Sequence, residues 1–411
     1  MRILWFTNTP SNYKAVGGYN GGGWISSLEK EIVKRSDIQL GISFFKNDEP
    51  HKVIKEKTIY FPLEMRQRSF CGKLKNIFHK LDKIDNLNVL KYIEIIDEFK
   101  PDIIEVFGTE DSFGLITNII DIPVVIHIQG LLMPYDNAYF PPSISKHNYL
   151  WSDFNLISIL KKKNRLTNFH NNANREIRII KSNKNFIGRT VWDERIIKLF
   201  NQKSIYFYGS EILREAFYED QSRSLPNKTT IITTISSPLY KGFDVVLKTA
   251  KLLKEEYNLD FTWVVYGDLS PKCIENKVCI LSSDVNVELR GVVSAVELKK
   301  SLLGATCFVH PSYIDNSPNS VCEAQILGVP VIATNVGGIS TLLNDGAAGW
   351  LVPSNDPFQM AYLIKILSTN MSLNIEKGLI GKKIAMQRHD KTVIVDELIK
   401  IYNTLIENEK F

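Results

Sequence analysis

Residues 308–338 read FVHPSYIDNSPNSVCEAQILGVPVIATNVGG, and no other stretch constrains the fold as tightly. It opens on the end of an apolar run, Ala305 to Val309, which has the character of a buried strand. Pro311 to Pro318 is a polar loop that its prolines and Asn316 keep from being helical. A helix follows, with Asn319 or Ser320 as N-cap and Val321, Ala324 and Leu327 at helical spacing. Gly328 ends it, Val329–Ala333 is a second buried strand, and Gly337–Gly338 is a closing turn. Strand, loop, helix and strand make a unit of a parallel α/β sheet. Its helix N-terminus offers N–H groups and the positive end of a dipole to an anion. Asp315 in the loop and Glu323 in the helix can both reach a ligand held there. On a purely structural reading, Asp315 is a solvated loop acid and Glu323 an acid favoured by the dipole.

The rest of the chain alternates in the same way. Met1–Phe6 reads as a first buried strand, its apolar run too short for a signal-peptide core. The glycine cluster Gly17–Gly23 leads into a helix, Trp24–Lys34, an arrangement suited to cradling phosphate. Strands are expected at Ile38–Phe45, Thr58–Phe61, Asp102–Phe107, Pro123–Ile128 and Asn185–Ile187. Arg66–Lys83 is basic and amphipathic, Leu87–Lys100 and Ala173–Lys181 are helical, and Asp111 is placed as the N-cap of another helix. After a polar link near Asp220–Lys228, strands are expected at Thr229–Ile235, Phe261–Tyr266 and Val287–Gly291. Helices follow at Val245–Glu256 and Glu297–Leu303, and three more from about Pro357, the last being Thr392–Glu407. Such alternation predicts parallel sheets with crossover helices, whose ligands sit outside the carboxyl ends of the strands. His127, Gln129 and Gly130 fall at such an end. Lys241, just before Gly242 at a strand–helix junction, can meet a phosphate as a point charge, or is an exposed loop lysine.

The length of 411 residues allows two or three domains, and 44% hydrophobic residues is enough for a core in each. No run approaches the roughly 20 apolar residues that span a bilayer, and a cytoplasmic location is expected. Cys71, Cys273, Cys279, Cys307 and Cys322 include no Cys-x-x-Cys pair, which argues against a zinc or redox motif and fits a reducing compartment. Net charge is +5, yet Lys161–Lys203 holds twelve Lys and Arg against three acids. That bias can draw phosphates, acidic polysaccharide, nucleic acid or an anionic membrane face, or it is a solvated basic surface. The irregular stretch Leu131–Asn172 sets aromatics such as Tyr135, Tyr139 and Trp151 beside Lys161–Lys163. It reads either as a membrane-surface patch or as an excursion packed on its own domain.

The 308–338 string resembles the donor-sugar signature of family 4 retaining glycosyltransferases, which have the GT-B fold. The likeness lies in two acids separated by seven residues, a small-residue helix, Gly-x-Pro-Val-x-Ala and Gly-Gly. The resemblance implies two Rossmann-like doubly wound domains facing across a cleft. Residues 1–218 would be the acceptor side, 219–390 the nucleotide-sugar side, and 391–411 a helix crossing back. It implies that Glu323 holds the ribose hydroxyls and Asp315 the donor sugar. The backbone of Ser317, Pro318, Asn319, Ser320 and Val321, with Lys241 and the Gly22–Gly23 loop, would take the diphosphate. Turns at Gly267 and Val292 would meet the nucleotide.

Three positions depart from that pattern. Asp315 stands where the family has glutamate. Gln129 aligns with the family's histidine, with His127 two residues earlier as either a catalytic or a core histidine. Ser236 or a neighbour replaces the arginine that accompanies Lys241. The runs FIGRTVWDE (186–194) and ILREAFYED (212–220) resemble a bacterial cell-surface polysaccharide branch. The expected activity is therefore retaining transfer from a UDP- or GDP-sugar to a saccharide, with a lipid-linked acceptor. No metal, no other cofactor and no nucleic acid are expected, and peripheral contact with the inner membrane face is. A GT-B nucleotide-sugar epimerase and a non-catalytic sugar-nucleotide or polysaccharide-binding subunit are the alternatives.

Overall fold

The computed structural model describes all residues except 14–22, 47–50, 65–80, 154, 220, 225, 237–238 and 409–411, and the side chains of 81–83. Gly22, most of the glycine cluster and most of the basic segment Arg66–Lys83 lie outside the described residues. Two sheets organise the chain. The first contains β1 (Arg2–Thr7), β2 (Gln39–Lys46), β3 (Val53–Lys55), β4 (Thr58–Glu64), β5 (Ile103–Phe107), β6 (Val124–His127), β7 (Asn185–Gly188) and β8 (Ile205–Tyr208). Their order is β3-β4-β2-β1-β5-β6-β7-β8, parallel throughout except for β3, which runs antiparallel to β4. The second contains β9 (Thr229–Thr234), β10 (Phe261–Tyr266), β11 (Val287–Gly291), β12 (Cys307–His310), β13 (Val331–Thr334) and β14 (Trp350–Val352). Its order is β11-β10-β9-β12-β13-β14, all parallel. The expected GT-B architecture is what the chain adopts.

The central strands are mostly apolar and buried because both sheet faces are covered there, while the edge strands β3, β8 and β11 are largely exposed. In β1, Ile3 and Trp5 enter one core and Leu4 and Phe6 the other. In β12, Cys307 and Val309 face one layer and Phe308 the opposite one. This two-residue alternation fixes the register, since a slip of one residue would exchange the two faces.

The last helix, Lys391–Asn408, belongs by packing to the first sheet. Ile394, Leu398 and Tyr402 share a core with Ile3 and Trp5. The Tyr402 hydroxyl donates to Glu105 on β5 and accepts from Trp5 Nε1 at 3.1 Å.

Two expectations fail locally. Asp111 caps no α-helix: a short 3-10 turn, Phe113–Ile116, follows it without a side-chain cap. The irregular stretch is more regular than it reads. It forms two short helices, Leu132–Asn137 and Lys146–Trp151, and then one of 27 residues, Leu156–Ser182, which absorbs Ala173–Lys181. Asn155 caps that helix by accepting from the N–H groups of Ile157 and Ser158. Only a narrow stripe that includes Leu166 and Phe169 packs inward, so the apolar period is diluted by lysines and asparagines. The short strands β3 and β8 were not expected either.

Replacing Tyr402 with Phe leaves the buried Trp5 N–H and a Glu105 oxygen without their partner. The expected cost is about 1–3 kcal/mol, read as a lower urea midpoint.

Candidate active site

The carboxyl ends of both sheets open onto one cavity of about 310 Å³. Gln129 reaches it just after β6, Arg189 from β7, Ile235 and Ser236 from β9, Gly267 from β10, Val292 from β11 and His310 from β12. The topology itself therefore gathers the lining, because parallel strands of both domains end there.

Asp315 is the electrostatic centre of this cavity. Its carboxylate is buried, with Lys241 Nζ at 2.6 Å and His310 Nε2 at 3.0 Å from Oδ2. The Tyr135 hydroxyl, from the first domain, donates to Oδ1 at 3.3 Å, and the Asn316 N–H donates to the same oxygen at 3.1 Å. Burial alone would raise the pKa of this acid, but the charge of Lys241 and the contact with His310 outweigh it and hold it well below the usual range. Two glycines let the loops approach. Gly242 (φ +79°) and Gly337 (φ +55°) adopt left-handed backbone, and a Cβ on them would collide with the carbonyls of Pro311 and Asp315.

Asn316 joins the domains beside it. Thr190 Oγ1 donates to Asn316 Oδ1 at 2.7 Å, and Asn316 Nδ2 donates to Asp193 Oδ2 at 2.9 Å. Its N–H also lies 3.0 Å from the Tyr135 hydroxyl. Ser317 accepts from Arg189 Nη1 at 3.0 Å.

Glu323, five residues into the helix Asn319–Ile326, is buried and held by a two-pronged guanidinium. Arg214 Nε meets Oε1 at 2.6 Å and Nη2 meets Oε2 at 2.7 Å. Burial pushes the Glu323 carboxyl up, and Arg214 opposes that shift. A second buried pair lies behind it. Arg189 pairs with Glu211, and Asn319, with its amide nitrogen turned inward, reaches Glu211 at 2.7 Å. Burial raises the Glu211 pKa too, with Arg189 acting against it. The Arg189 guanidinium also sits 4.5 Å over the Trp24 ring.

Most residues singled out in the sequence meet here. Asp315, Lys241, Gln129, Glu323, Gly23, Ser317, Pro318, Asn319, Ser320, Gly267 and Val292 all line the cavity. The helix begins one residue after Pro318, which acts as its N-cap, and no side chain caps it, so neither Asn319 nor Ser320 is the cap. Val321 is wholly buried and lies outside the lining. His127 is corrected to a core histidine. Its Nδ1 is 2.7 Å from Glu105 Oε1, its ring packs against Phe107 and Trp24, and burial lowers its pKa. Trp24, not His127, faces the cavity. Gln129 does reach it, and its Nε2 is buried without a hydrogen-bond partner among the described residues.

Arg189, Arg214, His310 and Tyr135 were not expected as site residues. Two of them were within sight, because Arg189 and Arg214 lie in the FIGRTVWDE and ILREAFYED runs. Arg189 also follows directly on the carboxyl end of β7, where a parallel sheet collects its ligands.

Two sheets of this topology with a cavity at their facing carboxyl ends define a GT-B protein. The fold superposes on sucrose-phosphate synthase from Thermosynechococcus elongatus with a TM-score of 0.73 at 14% identity, over 99% of each chain. Anabaena HepE, solved in complex with UDP-glucose, gives 0.66 at 14% identity, over 98% of this chain and 100% of its own. Residues 228–370 match the family described as glycosyl transferases group 1. The capsular polysaccharide biosynthesis glycosyltransferase CapM of Staphylococcus aureus is 26% identical over 220 residues, 53% of this chain and 50% of CapM. The family match is confined to residues 228–370, and the aligned part of the chain spans half or less of the length of the curated relatives it matches.

Arg214→Ala leaves Glu323 buried without its cation, and the expected cost is about 3 kcal/mol at neutral pH. A folded carboxyl that keeps its proton more tightly than the unfolded chain loses stability as pH rises above about 4.3. The deficit should grow from pH 5 to pH 8 in thermal unfolding, and Glu323→Gln in the same background should remove that slope. Asp315 behaves with the opposite sign. Its depressed pKa stabilises the fold above about pH 3.9, and that contribution is lost as pH falls below it. Asp315→Asn should therefore differ from wild type most at neutral pH and converge with it on acidification.

Proposed function

We propose that this protein is a retaining glycosyltransferase that moves a hexose-type residue from a nucleotide-diphosphate sugar to a saccharide hydroxyl in cell-surface polysaccharide synthesis. The observation that carries the reading is the meeting of Asp315, Lys241, Glu323 and the start of the helix Asn319–Ile326 on one cavity between two nucleotide-binding-type sheets. The capsular role named for CapM and the UDP-glucose named with HepE support the pathway and the donor class.

On this reading the Val292–Val293 turn takes the base and Glu323 accepts the ribose hydroxyls, sharing its oxygens with Arg214. The diphosphate lies against Lys241 and the backbone from Ser317 to Ser320, where positive charge and helix dipole favour the departing anion. Asp315 accepts from hydroxyls of the donor sugar. The acceptor oxygen attacks the anomeric carbon on the face from which the nucleotide leaves. The proton it loses passes to a phosphate oxygen of the leaving group, so configuration is kept. The cations that offset the leaving charge are the protein's own, and no metal or other cofactor is invoked.

The proposed acceptor is a lipid-linked saccharide presented at the inner membrane face, with the chain on its cytoplasmic side. Nucleic acid has no part in the reading.

A panel of UDP- and GDP-sugars with saccharide acceptors, read as nucleotide release and product, tests the activity. Glu323→Gln keeps a hydrogen bond to Arg214 while giving up the carboxylate, and should lower kcat/KM by on the order of 10²-fold with the thermal midpoint maintained. Turnover at wild-type level in that variant would sink the assignment. Asp315→Ala should change the preferred donor or slow transfer. Interconversion of nucleotide sugars without acceptor would instead identify an epimerase.

A further inference from the structure

The start of the helix Leu156–Ser182 carries side chains that the fold does not use. Leu156, Ile157 and Leu160 are 70, 65 and 59% exposed, and Trp151 just before them is 47% exposed. They are not the rim of a core, because the opposite face of the helix packs inward through Leu166 and Phe169, the latter 5.5 Å from Tyr139. Lys161, Lys163 and Arg165 are exposed on the same turns, and the sequence from Leu156 to Arg175 contains no acid. The nearby acids already have partners: Asp153 pairs with Lys162 at 2.7 Å, and Asp136 lies 2.7 Å from His170 Nδ1.

We infer that this edge is a docking surface for an anionic lipid bilayer, with Trp151, Leu156, Ile157 and Leu160 entering the interface and Lys161, Lys163 and Arg165 facing the headgroups. A short apolar ridge flanked by cations combines the two attractions that hold a protein on such a surface. A second copy of the chain is the poorer occupant. A twofold contact here would bring both sets of cations together, and like charges at an interface oppose association. The edge lies on the same excursion as Tyr135, whose hydroxyl reaches Asp315, so docking would bring a membrane-borne acceptor close to the proposed centre. This deepens the lipid-linked acceptor reading, while its test does not require turnover.

The test is cosedimentation of the full chain with vesicles of phosphatidylcholine alone and of phosphatidylcholine with phosphatidylglycerol. The chain should bind only the anionic vesicles and be released by high salt. The triple variants Leu156→Ser/Ile157→Ser/Leu160→Ser and Lys161→Glu/Lys163→Glu/Arg165→Glu should each weaken partitioning by about ten-fold or more. Their thermal midpoints and soluble-donor turnover should stay unchanged, because all six residues are exposed and lie outside the cavity. Absence of wild-type binding, or equal binding by the apolar variant, overturns the proposal. So does a concentration-dependent dimer, seen by sedimentation, that the apolar variant abolishes. Loss of transfer by a chain that still binds vesicles counts only against the proposed activity.

Discussion

A buried carboxylate must be satisfied from somewhere, and at Asp315 the partners come from both domains. Lys241 and His310 belong to the second sheet, and Tyr135 to the first. An isolated charge in that position would be strongly disfavoured, so the set of partners specifies how the two halves meet. Asn316 repeats the logic one residue on, with Thr190 and Asp193 of the first domain closing on its amide. Hydrogen bonds across the cleft thus converge on two consecutive loop residues, and Arg189 with Ser317 and Arg214 with Glu323 add to them. The glycines at 242 and 337 are what let those loops pack closely enough.

The departures from the family pattern acquire a physical account in this arrangement. The second domain lacks the expected arginine near Ser236, yet the cavity is not short of guanidinium groups. Arg189 arrives from the end of β7 and Arg214 from the segment after β8. With Asp315 one methylene shorter than glutamate, its carboxylate stays close to its own backbone, within reach of the Asn316 N–H and the lysine. Gln129 brings an amide where the family has a titratable ring, and His127, two residues earlier, is turned into the core by Glu105. The imidazole that does line the cavity, His310, comes from the second sheet and lies against Asp315.

The sheets were legible because their central strands are buried on both faces and so appear as mostly apolar runs. The 308–338 unit was legible because loop prolines, helix spacing and paired glycines occur in one order. Lys241 could be read from its place at a strand–helix junction. What escaped were contacts between residues far apart in sequence. Arg214 and Glu323 are separated by 109 positions, and Tyr135 and Asp315 by 180, and no local period records such pairs. The helix Leu156–Ser182 escaped for a different reason. Most of its surface meets solvent, its start carries apolar residues on the outward side, and Lys161–Lys163 interrupts the pattern that marks an amphipathic helix. His127 misled because alternation along a strand places it on the same side as Gln129, while the packing of Trp24 over its ring separates it from the cavity.

Three ion pairs at the cavity, Lys241 with Asp315, Arg214 with Glu323 and Arg189 with Glu211, leave it nearly neutral before any donor arrives. A simple anion entering it would have to draw a cation away from a buried carboxylate and leave that acid uncompensated, which is costly. A nucleotide-diphosphate sugar meets both halves of the demand. Its phosphates take a share of the cations, while its ribose and sugar hydroxyls donate to Glu323 and Asp315 in exchange. Self-neutralisation thus becomes a selectivity device under the proposed activity. Ligands that carry anion and hydroxyl donors at the right separation are accepted, and inorganic phosphate or a nucleotide without its sugar satisfies only part of the site.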